Sequence, residues 1–310
     1  MLICFYFCTR IMQKNMEHKK SLVGAWVEAA RPKTLPASVS PVLLGSALAY
    51  YDGAFDVLPA ALCLLVALFA QIASNFANDY FDFKKGADRE DRLGPERACA
   101  QGWITTAAMK RGILLTTLVA CALGSGLLFY GGPELIAVGA VCVLFAFLYT
   151  AGPYPLAYHG WGDLLVILFF GFVPVGCTYY VMCHGWTPEV TTASLSCGLA
   201  IDTLLMVNNY RDREQDARSG KQTLVVRFGA KTGHLLYLGL GISASLLCLF
   251  FIHYGHFWAA LLPQLYLPLH LLSWKRMVEI DHGRALNRIL GQTSRNMLLF
   301  GILLSVGLIL

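Results

Sequence analysis

Two short stretches of this chain gather amide and carboxylate side chains that a metal ion and a phosphate group could use. The first holds Asn75, Asn78, Asp79 and Asp82 and runs through Gly86 to Asp88. The second holds Asn208, Asn209, Asp212 and Asp216, followed by Arg218 and Lys221. Read as helix, Asn75, Asp79 and Asp82 stand at i, i+4 and i+7, and Asn208, Asp212 and Asp216 at i, i+4 and i+8. Each set therefore falls on or near one helical face. Carboxylates ending a helix oppose its macrodipole, which favours cations there. Mg²⁺ resolves that conflict, because it is a hard ion held by one or two carboxylates together with water and substrate phosphate oxygens. Asp79 and Asp82 facing Asp212 and Asp216 would hold such ions and clamp a diphosphate between them. The Arg and Lys residues among the acids can take the remaining phosphate oxygens. Solvated helix ends paired with those same cations are the plain alternative, and the presence of two matching clusters weakens it.

The elements that must position these residues are apolar. Of 310 residues, 56% are hydrophobic and 14% charged, against roughly a quarter charged in an ordinary soluble domain. Long apolar runs recur over 35–51, 58–78, 112–130, 134–150, 161–183, 189–209, 233–253, 257–274 and 296–310. The fold class they predict is all-α, a polytopic membrane protein of about nine transmembrane helices bundled around a central cavity. With the N-terminus in the cytoplasm and nine alternating spans, all 24 Lys and Arg fall in inside segments, and the outside connections have none. That partition agrees with the positive-inside rule and places both acidic segments on the cytoplasmic side. It also accounts for the net charge of +5 as topology signals and anionic-lipid contacts, with no nucleic-acid partner.

No linker divides the chain, so residues 21–310 read as one intramembrane domain. Residues 1–20 read as a dispensable N-terminal extension. Their apolar start precedes rather than follows the basic residues, which is not a signal-peptide layout, and Met16 is a second possible start. The ten cysteines are scattered singly, which points to neither disulfides nor a zinc site. Asn78-x-Tyr80-x-Asp82 is echoed by Asn208-x-Tyr210-x-Asp212, 130 residues later. Each ends an even-numbered span, as two related helices facing a common pocket would.

The finer pattern resembles a known family. Asn78-Asp79-Tyr80-Phe81-Asp82 runs on to Asp88, Arg92 and Pro95. Asn208-Asn209-Tyr210-Arg211-Asp212 runs on to Asp216, Gly220, Lys221 and Thr223. Ala30-Arg31-Pro32-Lys33-Thr34 precedes the first span, and Tyr149-Thr150-Ala151-Gly152-Pro153 follows the fourth. Together these are similar to the UbiA-type intramembrane prenyltransferases, and most to their 1,4-dihydroxy-2-naphthoate polyprenyltransferase branch. Gly86 stands where ubiquinone-type relatives carry a further Asp, with Asp88 two residues later, and this favours the naphthoate branch.

The resemblance implies Mg²⁺-dependent transfer of a polyprenyl group from its diphosphate to 1,4-dihydroxy-2-naphthoate with loss of CO₂, giving demethylmenaquinone in a bacterial inner membrane. It implies Asp79, Asp82, Asp212 and Asp216 as metal ligands and, with Lys221, as catalytic groups. It implies Asn75, Asn78, Asp88, Arg92, Tyr149, Asn208, Asn209 and Arg218 as substrate-binding residues. Tyr80, Phe81, Tyr149 and Tyr210 could steady an allylic cation or simply form the interfacial aromatic belt. Two readings compete: the same fold acting on 4-hydroxybenzoate, homogentisate or haem, and an ion-coupled transporter, for which Asp202 inside a span is an argument. Asp202 lines the pocket or bonds within the bundle, and Asp163 caps a helix or takes part in chemistry; the sequence leaves both pairs open.

Overall fold

The computed structural model describes residues 20–86 and 92–310. Asp88 and nearly all of the N-terminal extension lie outside them. Among the described residues the chain is helical, with no strand. Ten helices succeed one another where about nine were expected. They are α1 (Leu22–Ala30), α2 (Pro36–Tyr51), α3 (Val57–Lys84), α4 (Thr106–Gly131), α5 (Glu134–Leu148), α6 (Gly162–Cys183), α7 (Pro188–Arg218), α8 (Leu224–Leu247), α9 and α10 (Leu286–Ile309). α9 is built from Phe257–Leu261, a 3₁₀ turn Leu262–Leu265 around Pro263, and Tyr266–Ile280. Six of the ten are long and apolar enough to cross a bilayer: α3, α4, α6, α7, α8 with its 3₁₀ extension to Ile252, and α10.

The additional helix is α1. Ser21 caps it by accepting from the Gly24 amide at 3.1 Å, and Arg31, with φ 54°, ends it. It buries Ala25 and Ala29 and leaves Leu22, Val23 and Val27 exposed, the layout of a helix lying in a membrane interface.

α3 and α7 are longer than the apolar runs that predict them. At 28 and 31 residues they span about 42 and 46 Å, against roughly 30 Å of hydrocarbon. The surplus is the acidic segments, which continue the helices without a break. α10 likewise begins at Leu286 rather than 296, because its first turns are polar yet packed.

α7 is the central post. Its apolar stretch is the most buried of the spans, whereas α3 and α4 leave most of their surface to lipid. α6 meets α7 at very close range through a π turn, Ile167–Phe172. Pro174 follows that turn; it has no amide to donate and its ring would crowd the carbonyl four residues back, so the helix widens there. A Cβ on Gly171 would stand 2.4 Å from the Ser194 carbonyl oxygen, and one on Gly198 would stand 3.0 Å from that of Ile167. Only glycine permits this crossing. In α8, Gly229 with φ 86° turns the chain between a first helical turn and the long span.

Candidate active site

The ends of α3 and α7 meet at the polar end of the bundle, together with the connections 92–105, 149–161 and 219–223 and the start of α10. α3 delivers its four candidates to different partners. Asn75 turns inward and donates to the Ala30 carbonyl (2.9 Å) and to Thr34 Oγ1 (3.1 Å), tying the α1–α2 turn to α3. Asp79, 1% exposed, spends both oxygens on backbone amides. Oδ2 accepts from Ala98 at 2.9 Å and Oδ1 from Cys99 at 3.0 Å. It therefore caps the turn after Arg97. Asp82 accepts from Arg97 Nη2 at 3.1 Å through one oxygen. Its other oxygen and the Asn78 amide make no hydrogen bond among the described residues.

α7 divides its residues in the same manner. Arg211, buried, grips Asp212 with two bonds of 2.7 Å, and also donates to Asn208 Oδ1 (3.0 Å) and Asn287 Oδ1 (2.9 Å). Asn209 is buried. Asp216 closes the helix: its carbonyl accepts from the amides of Ser219 and Lys221 and from Ser219 Oγ, and Gly220 with φ 77° makes the reversal possible. That turn folds Lys221 back over its own helix, placing Nζ 3.3 and 3.4 Å from the two Asp216 oxygens. Burial opposes the Lys221 charge, but Asp216, Tyr149, Asp82 and Asp212 outweigh it and hold its pKa above the ordinary lysine value. One ammonium thus stands among carboxylates delivered by two different helices. Arg218 pairs with Glu214 at 3.8 Å, both side chains being exposed.

The loop after α3 is held from three sides. Arg92 donates through Nε to the Pro95 carbonyl (3.0 Å), and its charge reaches Asp82. The Leu93 amide donates to Gln215 Oε1 (3.4 Å), Asn287 Nδ2 to the Leu93 carbonyl (2.8 Å) and Arg284 to the Arg92 carbonyl (3.3 Å). Gly94 passes so close to Arg211 that a Cβ would lie 2.8 Å from its guanidinium. On the other flank Lys85 donates to the Thr150 carbonyl at 2.6 Å. Tyr149 is near enough for its charge state to couple to Lys221 and Asp82. Of the aromatic candidates, Tyr210 points elsewhere, donating to Asp281 at 2.7 Å, and the Tyr80 ring faces Lys84 and Lys110.

The site therefore unites Asp82, Asp212, Asp216, Lys221, Arg92, Asn208 and Tyr149, with Asn78 one turn before Asp82 on α3. Asn75 and Asp79 are engaged in holding the α1–α2 turn and the turn after Arg97. Asn287, Gln215 and Arg284 were missed by sequence reasoning; the long polar connection 275–295 carries the signal for two of them. No group of three or more His, Cys, Asp or Glu forms a ready metal cage among the described residues. The donors present still fit Mg²⁺, which takes one or two carboxylates and completes its shell with water and phosphate oxygens. Asp82 keeps an oxygen open, and Asp216 is held only by long contacts to Lys221.

Sequence and fold comparisons converge on one group. The chain is 37% identical to the 1,4-dihydroxy-2-naphthoate octaprenyltransferase of Haemophilus influenzae, covering 96% of this chain and 99% of that protein. It is 35% identical to the Escherichia coli enzyme of the same name, covering 95% and 98%. In fold it resembles a UbiA homolog from Aeropyrum pernix K1, with TM-score 0.67 and 16% identity over 90% of this chain and 98% of that one. It also resembles a UbiA homolog from Archaeoglobus fulgidus bound to GPP and Mg²⁺, with TM-score 0.60 and 16% identity over 92% and 99%. Residues 38–305 match the UbiA prenyltransferase family, and with near full-length relatives beside that match, the chain belongs to this family.

Proposed function

We propose that the protein transfers a polyprenyl group from polyprenyl diphosphate to the carboxylate-bearing ring carbon of 1,4-dihydroxy-2-naphthoate, with loss of CO₂, giving demethylmenaquinol, the reduced form of demethylmenaquinone. The observation that carries this reading is Lys221, held among Asp82, Asp212 and Asp216 from two helices, the arrangement a diphosphate with its metal ions would need. The names of the bacterial relatives support the acceptor and suggest an octaprenyl donor.

Bound Mg²⁺, held through Asp82 and Asp216 with Asp212 beside them, would neutralise charge on the departing diphosphate. Lys221 donates to its oxygens, and Arg92 adds positive charge. Asn78 and Asn208 orient the head group. Asp79 and Asn75 position the loop and turn that close the site. The allylic carbon–oxygen bond breaks with its electron pair leaving on the diphosphate, and the ring supplies the pair for the new carbon–carbon bond. The carboxylate then sits beside a ring carbonyl and leaves as CO₂.

An allylic cation survives only where water is scarce. A cleft of about 70 Å³ between α3, α4 and α5, lined by Ala70, Ala73, Ala77, Ala120 and Ala146, lies on the apolar side of Asp82 and favours a sideways exit for the tail into lipid. The placement of Lys and Arg supports a bacterial inner-membrane protein with its N-terminus and site on the cytoplasmic side.

The test is purified protein in lipid nanodiscs with octaprenyl diphosphate, Mg²⁺ and, in turn, 1,4-dihydroxy-2-naphthoate, 4-hydroxybenzoate, homogentisate and haem, with products read by mass spectrometry. Prenylated, decarboxylated naphthoate is expected. Product from another acceptor alone would reassign the substrate, and no product with any acceptor, together with solute flux in liposomes, would overturn the enzyme reading.

A further inference from the structure

Asp202 is buried in the middle of α7, 1% exposed, and makes no hydrogen bond or ion pair with the described residues. Asp163, in the first turn of α6, also has an oxygen that is buried without a partner. The two stand at the same level of neighbouring helices. α6 and α7 run antiparallel and touch where Gly198 meets Ile167. Stepping four residues along each helix toward the polar end leads from Ile167 to Asp163 and from Gly198 to Asp202. A second contact, Gly171 against Ser194, has the same register, Gly162 meets the Leu205 side chain beside the pair, and the Asp163 charge acts on Asp202.

The pair is joined to the diphosphate site. Asp163 lies within electrostatic reach of Lys221, and Tyr149 within reach of Lys221, Asp163, Asp202 and Asp82. The Tyr149 hydroxyl is 3.5 Å from where a Cβ on Gly162 would stand. Asp202 lies about 9 Å along the helix from Asn208, on the apolar side of it.

An unpartnered buried carboxyl group costs several kcal/mol unless something bonds to it. Its surroundings narrow what that can be. Leu205 and Ile167 give the neighbourhood apolar side chains, and Tyr149 adds a ring with one hydroxyl. A hydroxyl carried on an aromatic ring suits both, the hydroxyl bonding to the carboxyl group and the ring packing on the apolar side chains.

We infer that Asp163 and Asp202 form the hydroxyl-reading end of the acceptor pocket, with Asp202 accepting a hydrogen bond from a ring hydroxyl of a dihydroxylated aromatic acid. The inference rests on the prenyl-transfer reading above and names which part of the site selects the acceptor. The bond would orient the ring beneath the diphosphate and push electron density toward the attacking carbon.

The test measures affinity for 1,4-dihydroxy-2-naphthoate through its fluorescence, and affinity for octaprenyl diphosphate in parallel, in wild type, Asp202→Leu, Asp202→Asn and Asp163→Asn. Losing a hydrogen bond to a carboxylate should weaken naphthoate binding about 10- to 100-fold in Asp202→Leu. Diphosphate affinity should stay within about twofold. The asparagine variants keep the side-chain volume, guard against misfolding, and should weaken naphthoate binding in the same direction. Wild type should also discriminate against the mono-O-methyl ether of the acceptor, and Asp202→Leu should lose that discrimination, which a merely structural role would not produce. Folded variants with wild-type affinity and undiminished ether discrimination, the outcome if the pair only holds a structural water, would overturn the inference. Wild type that turns over naphthoate with Asp202-independent affinity sinks the inference alone. Asp202-dependent binding without prenyl transfer sinks the functional reading alone.

Discussion

Asp79 and Asp82 stand three residues apart on α3 and meet opposite kinds of partner. Asp79 is consumed by two backbone amides, while Asp82 shares its pocket with Lys221 and Arg97. Their substitutions should therefore fail differently. Asp82→Asn, which keeps an oxygen to accept from the buried Arg97, should lower kcat/KM by at least about 100-fold, the scale of losing one strong electrostatic contact in a closed site, with little change in melting temperature. Asp79→Ala should cost about 2–4 kcal/mol of stability and free the turn it caps, so that the buried Cys99 becomes reactive to maleimide. Wild-type labelling of Cys99 in that variant would contradict the assignment. Lys221 has its pKa raised, so it stays protonated below and through the ordinary lysine value. Turnover between about pH 6 and 9 should accordingly show no titration belonging to it, while Lys221→Met should lose activity across that whole range. Sequence spacing placed Asn75, Asp79 and Asp82 on one face but could not separate them. The groups that separate them, Ala30, Ala98 and Arg97, come from chain that is distant or irregular, and local periodicity carries no record of it.

At the scale of elements, the helices were legible where they are apolar and obscure where they are polar but packed. The spans of α3, α4, α6 and α7 follow directly from their hydrophobic runs. α10 begins ten residues before its apolar run, because Asn287, Thr293, Ser294 and Asn296 are occupied by the site and the bundle rather than by water. α1 escaped notice for a related reason: nine residues with one apolar face are too short to read as a span. The α6–α7 crossing depends on glycine at both contact points. Gly198→Ala should press a methyl group against the Ile167 carbonyl and destabilise the protein by about 1–3 kcal/mol, read as a lower melting temperature in detergent. Naphthoate binding should fall more than diphosphate binding, since the crossing sets the spacing of Asp163 and Asp202.

Across the whole molecule, charge is the organising variable. All 24 Lys and Arg were assigned to one side on sequence alone, and the described ones that touch the site gather at one end of the bundle. Nine crossings from a cytoplasmic N-terminus put Leu310 outside. An alkaline phosphatase fused there should be active in cells and a fluorescent protein fused there dark; the reverse result would overturn the orientation. The contacts between the 92–95 loop and α10 carry a consequence for biogenesis. The loop emerges from the ribosome long before Arg284 and Asn287 exist, yet these residues, 192 and 194 positions later, hold its Arg92 and Leu93 carbonyls. A nascent chain lacking α10 has nothing to hold those two carbonyls and lacks one of the more buried helices of the bundle. Activity should therefore wait on the completion of synthesis, and chains truncated before α10 should be membrane-inserted and inert.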